Sequence, residues 1–119
     1  MEGTWEKAKE LGRLLGQSNE FKALGRAKER VSGEPEIVRK LNQLGDLEGQ
    51  ITGFLQRGEE PPHETAEEYE RVFGEVQGRP EYQGLVAAQA NFDKILQRVN
   101  EEISKGMTLA SQSRIILPS

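Results

Sequence analysis

Cysteine is missing from the 119 residues. Its absence removes disulfides, thiolate-held zinc, cysteine-ligated iron–sulfur clusters and thiol catalysis, and it is compatible with a reducing compartment. Histidine is nearly missing as well. His63 stands alone, so the paired-ligand spacings of zinc or di-iron sites cannot be built. His63-Glu64 also lacks the second histidine of an H-E-x-x-H helix, and nothing orients His63 toward Ser104, Ser111 or Ser113 for nucleophilic work. Long apolar runs are absent too. No stretch approaches the roughly 20 apolar residues of a membrane span, and Met1 to Lys9 lacks the core of a secretory signal. A soluble, cytoplasmic protein is expected. With 16 basic against 20 acidic residues and a formal charge of -4, the chain has no electrostatic footprint for a phosphate backbone or an anionic membrane. Direct nucleic-acid binding, a membrane partner, a metal and a cofactor are therefore not expected, and neither is an enzyme.

What the chain does have is helical periodicity. Only 34% of residues are hydrophobic and 30% are charged, so the apolar residues must form narrow stripes, which suit helices packing in pairs. No segment sustains strict alternation, and the fold class expected is all-α. Five helices can be placed. The first runs from about Thr4 to Gly16, with Trp5, Ala8, Leu11, Leu14 and Leu15 on one side. Ser18 is placed to cap the second, whose buried edge is Phe21, Leu24, Ala27 and Val31. The third, about Pro35 to Arg57, carries Ile37, Leu41, Leu44, Leu47, Ile51, Phe54 and Leu55. After a Gly58 to Pro62 loop, Thr65 and Glu68 form a T-x-x-E capping box that would start the fourth helix near Thr65. Tyr69, Val72, Phe73 and Val76 give its stripe. The fifth is expected from about Pro80 to Lys105, about 40 Å long at 1.5 Å per residue.

The punctuation is duplicated. Gly33-Glu34-Pro35 and, 45 positions later, Gly78-Arg79-Pro80 each read as a stop followed by a restart, because glycine tolerates the left-handed turn that ends a helix and proline is preset for a first turn. The same offset places Leu24 on Tyr69, Ala27 on Val72, Val31 on Val76, Ile37 on Tyr82 and Ile51 on Leu96. A pseudo-symmetric bundle follows, expected as one helical domain over 1–107 with the two long helices as an antiparallel hairpin, a symmetric dimer completing the burial, and a tail over 108–119.

The opening segment Ala8 to Ser18, the Phe21-containing short helix, the Glu34-Pro35 and Pro80 restarts and the Leu96 to Ile103 ending resemble the YlbF/YmcA family of small helical bacterial proteins, over roughly Trp5 to Met107. The resemblance implies an oligomer-forming regulator without catalysis. It implies action in competence, sporulation and biofilm development, through a complex that influences an endoribonuclease and messenger-RNA processing. Two departures stand out. Arg79 occupies a position where the family often has Asn or Asp, and the cysteines that tie some relatives to iron–sulfur clusters are absent.

Three surfaces are candidates for partners. Gly45, Gly49 and Gly53 recur every fourth residue roughly opposite the Ile37, Leu44 and Ile51 stripe, and should face outward. They reflect either weak selection or close approach of a partner helix. Leu85, Gln89, Phe92 and Leu96 form a candidate oligomer seam, with Gln89 either fixing register or lying at its wet edge. From Thr108 the helical spacing lapses, and Ile115, Ile116 and Leu117 are a candidate docking tail. His63 reads as an exposed loop residue, and Glu64, Glu67, Glu68 and Glu70 as a solvated acidic first turn. A protein partner is expected, with an RNA-degradation complex as the candidate. The competing expectation is a structural or chaperone-like scaffold.

Overall fold

A computed structural model describes the backbone of residues 1–116 and the side chains of residues 1–112. Five α-helices follow one another: α1 (Glu2–Gly16), α2 (Asn19–Ser32), α3 (Pro35–Gln56), α4 (His63–Gln77) and α5 (Pro80–Ile116). The all-α expectation holds. Ser18 caps α2 as its chemistry requires, its hydroxyl accepting from the Phe21 amide at 3.1 Å and donating to the Leu15 carbonyl at 2.6 Å.

Three local expectations are corrected. Gly33 and Gly78 close their helices with φ of -80° and -75°, so neither uses the left-handed conformation. At Gly33 the requirement is space, since a Cβ there would meet the Glu29 carbonyl oxygen at 3.2 Å. The left-handed turn is at Gly58, φ 74°, where the Glu59 amide reaches the Phe54 carbonyl and the Gly58 amide the Leu55 carbonyl, the two bonds of a Schellman close. Gly58→Ala should therefore lower stability by about 1 kcal/mol, read as a lower denaturant midpoint at unchanged slope. The Thr65/Glu68 capping box does not form. Pro62, with φ -57° and ψ 143°, is already the N-cap, and the Thr65 and Ala66 amides both donate to the Pro62 carbonyl.

The third correction concerns α5. It continues through Thr108 to Ile116, 37 residues in all, or about 55 Å, where a non-helical tail was expected. Loss of an apolar stripe is not a stop signal. No glycine or proline lies between Gly106 and Pro118, and the helix runs until the residue before proline, where helical backbone is disfavoured. Of the candidate docking tail, Ile115 and Ile116 belong to this helix with side chains outside the described set. Leu117 lies outside the described residues altogether.

Both long helices are present, but they do not pair with each other. α2 lies along α5 and α3 along α4, with lesser contacts between α2 and α3, α4 and α5, and α1 and α2, and none between α3 and α5 among the described residues. The 45-residue repeat explains the pattern. Under that offset α2 maps on α4 and α3 on α5, so each half lends its long helix to the other half's short one. The apolar seams repeat accordingly. Leu24, Ala27 and Val31 of α2 are buried, and so are their equivalents Val72 and Val76 of α4. Leu44, Val72 and Val76 form one cluster, flanked by Leu41, Tyr69, Phe73 and Tyr82. On the other side Phe21 of α2 meets Phe92 of α5, ring centroids 5.3 Å apart.

The result is elongated, 69 × 38 × 24 Å with a radius of gyration of 21.6 Å. A compact chain of this length would have about 14 Å.

Candidate partner-binding surface

The two Gly-x-Pro junctions meet at the waist between the paired helices. Arg79 holds them there, with Nη1 3.4 Å from Glu36, Nη2 3.9 Å from Glu34 and Nε 3.6 Å from Glu81. Glu81 Oε2 is buried and makes no hydrogen bond, so the Arg79 guanidinium is its compensation. Lys40 extends the network to Glu36 at 3.3 Å and Glu75 at 3.4 Å. The hydrogen bond and charge of Lys40, followed by the charge of Arg79, hold the Glu36 carboxyl below the ordinary carboxylate range. Sequence reasoning saw Arg79 only as a poor helix cap. The signal was available: at the 45-residue offset Arg79 stands opposite Glu34, so equivalent positions of the repeat carry opposite charges, which attract when the junctions meet.

Away from the waist, apolar side chains are left in solvent on two helices. α1 touches only α2 and buries none of its residues; Trp5 is 57% exposed and Leu14 is 53% exposed. α5 is covered as far as Phe92, where α2 begins. Beyond it Leu96, Ile103, Met107 and Leu109 are exposed, while the surface charges pair along their own helices, Arg98 and Lys105 both on Glu102. Those two cations, Lys105 first, hold the Glu102 carboxyl low.

The candidate seam of α5 therefore divides. Leu85 and Gln89 are half-buried and Phe92 is buried, within the reach of α2 in the same chain, while Leu96 stands at the open edge. From Leu85 to Phe92 the seam expected between copies is an intrachain seam, because α2 rather than α3 lies along it. Gln89 donates to Asp93 at 3.0 Å, the wet-edge reading of that residue.

Gly45 and Gly49 are exposed and a Cβ on either meets nothing within 4 Å; at Gly53 it would meet only the Arg57 guanidinium at 3.5 Å. The strip does face outward. Gly45→Ala and Gly49→Ala should each raise stability by about 0.5 to 1 kcal/mol, measured as a higher melting temperature, since helical backbone and free space both favour alanine. His63 is exposed and begins α4, its Nε2 2.7 Å from Glu67. Glu68 accepts from Gln43 of α3 at 2.9 Å, and Tyr69 donates to Glu48 at 3.0 Å, a bond that raises its phenol pKa. The acidic turn thus helps fasten α4 to α3. No group of three or more His, Asp or Glu side chains among the described residues could hold a metal ion, and no described helix is long and apolar enough to cross a membrane.

A family model described as control of the competence regulator ComK, YlbF/YmcA, matches residues 4–108. The chain belongs to the YlbF/YmcA family. That match spans α1 through the open part of α5, so the helices left uncovered in the single chain are part of what defines the family. No curated protein matches by sequence. Among solved structures, a chain in the crystal structure of Bacillus subtilis RicA in complex with RicF superposes with a TM-score of 0.77 at 16% identity, covering 91% of this chain and 96% of that one. At that identity the likeness shows a shared fold. The regulatory class and the all-α fold implied by the sequence resemblance are therefore met.

Proposed function

We propose that this member of the YlbF/YmcA family is a non-enzymatic, cytoplasmic adaptor that works as a homo-oligomer. Its uncovered helical faces engage protein partners in endoribonuclease-dependent RNA processing, within the developmental programmes of competence, sporulation and biofilm formation. The observation carrying this reading is the uncovered apolar surface of α1 and distal α5: Trp5, Leu14, Ile103 and Met107 stand in solvent in the single chain, and a surface of that kind marks association. The family's description as control of a competence regulator and the solved neighbour's occurrence in a two-protein complex support a partner-bound regulator. The balanced, slightly acidic charge favours a protein over RNA as the direct contact.

The test is genetic and biochemical. Deleting the chromosomal copy should shift the 5′ ends of endoribonuclease-processed transcripts, and wild-type protein should restore them where Ile103→Glu does not. Gly49→Glu, placed in open space on the outward strip, reports separately on whether α3 adds to the partner face. Unchanged processing on deletion, together with suppression of client aggregation by the purified chain, would instead establish a chaperone-like scaffold. RNA cleavage by the purified chain would overturn the non-enzymatic reading.

A further inference from the structure

We infer that α1 of one copy packs antiparallel on α5 of a second copy, beyond Phe92, and that the exchange is reciprocal. This rests on the reading of those two faces as protein-binding surfaces and names their occupant. Two unpartnered stripes of the same length exist in every chain. On α1 the apolar positions run from Trp5 through Ala8 to Leu15, about 15 Å; on α5 they run from Leu96 through Ile103 to Met107, about 16 Å. Laid antiparallel, they register: Trp5 faces Met107, Ala8 faces Ile103 and Leu15 faces Leu96. Both stripes are one residue row wide, the width that receives a single helix.

Charge does not oppose the pairing. α1 neutralises itself through Lys7–Glu10 and Lys9–Glu6, and distal α5 through Arg98–Glu102 and Lys105–Glu102. The antiparallel sense also aligns opposite helix dipoles.

The second copy, not the chain's own α1, is the occupant the turn permits. α1 makes no contact with its own α5. The Gln17–Ser18 turn that holds it away is bonded on both sides, by the Gln17 amide to the Arg13 and Leu14 carbonyls and by Ser18 to Leu15 and Phe21. Area argues for reciprocity. One helix pair of this length covers on the order of half the roughly 800 Å² per partner that a stable interface buries. A two-fold arrangement forms the pair twice.

The absence of cysteine makes the test clean. The full chain by light scattering should have twice its 13.3 kDa mass at micromolar concentration. Trp5 and Ile103 are both exposed in the single chain, so Trp5→Glu and Ile103→Glu should keep the helical circular dichroism of the wild type while weakening the dimer on the order of a hundred-fold. An Ala8→Cys chain mixed with an Ile103→Cys chain should be joined by a short thiol cross-linker into a heterodimer, and neither should link to itself. A monomeric wild type, or a link formed only inside one chain carrying both cysteines, overturns the inference. In that event the transcript-processing phenotype of Ile103→Glu still decides the adaptor reading independently.

Discussion

Arg79→Glu should lower the stability of this protein by about 2–4 kcal/mol, a loss well beyond that of an ordinary surface charge. The substitution removes the only cation that bridges the two junctions and adds a fourth carboxylate beside Glu34, Glu36 and Glu81, all within 4 Å of the present guanidinium. Breaking a wholly buried pair costs about 3–5 kcal/mol; Arg79 keeps 26% of its side chain exposed, and screening reduces the figure. A double reversal distinguishes charge from shape. Glu34→Arg in the Arg79→Glu background should recover a substantial part of the loss, as a thermal-melting double-mutant cycle would show, because the offset places those residues opposite each other. The pH dependence follows from Glu36. A carboxyl held below its ordinary 4.5 gives stability that is fully present above that value and lost as pH falls through the lower folded value. The acid limb of the wild type should therefore be steeper than that of Arg79→Glu, which retains the Lys40 contribution and lacks that of Arg79.

Ile37→Ala should cost about 3 kcal/mol. Ile37 is completely buried on the first turn of α3, directly after the first junction, and truncating such a side chain costs about 2–5 kcal/mol through lost transfer energy and the cavity left behind. In a chain of this length that corresponds to a fall in melting temperature of about 10–15 °C. The described core is thin, so one residue weighs heavily. Ile103→Ala is the internal control. The same residue type, 49% exposed on distal α5, should change the stability of the single chain by less than about 1 kcal/mol. An equal loss at both positions would mean that distal α5 is covered within one chain.

The elements that carry the fold were legible because their signals are local. Ser18 caps, Pro35 and Pro80 restart, and the stripes of α2 and α4 bury the residues that their period names. Which helix meets which was not legible. A stripe says that a face is covered, not by what, and an internal repeat is satisfied equally by short helices packing on their own long helix or on the other half's. In this chain the two-residue junction of Gly33 and Glu34 leaves α2 and α3 touching only lightly, while the longer Gly58 to Pro62 loop folds α4 back along α3. That choice moved Phe92 from a seam between copies to a ring contact with Phe21 in the same chain. The end of α5 was missed for another reason: fading amphipathicity marks the end of a contact, whereas a helix ends at a breaker, and Pro118 is the first one.

The surface was half legible. Gly45 and Gly49 do point outward, and the apolar residues of α1 were assigned to one side correctly. That α1 would remain uncovered could not be read from its own sequence, since a stripe alone does not reveal whether its own chain supplies the cover. Arg79 was hidden by the same limitation, because its carboxylates come from the opposite half of the repeat.

If the chain itself covers α5 only to Phe92 and another protein molecule covers the rest, hydrogen exchange on peptides of α5, followed by mass spectrometry at low and high protein concentration, will show it most directly. Amides of 82–92 should be protected at both concentrations. Those of 96–112 should exchange quickly when dilute and slowly when concentrated, because an overhanging helix opens locally until it is packed. Equal protection of the two segments at every concentration would contradict the account.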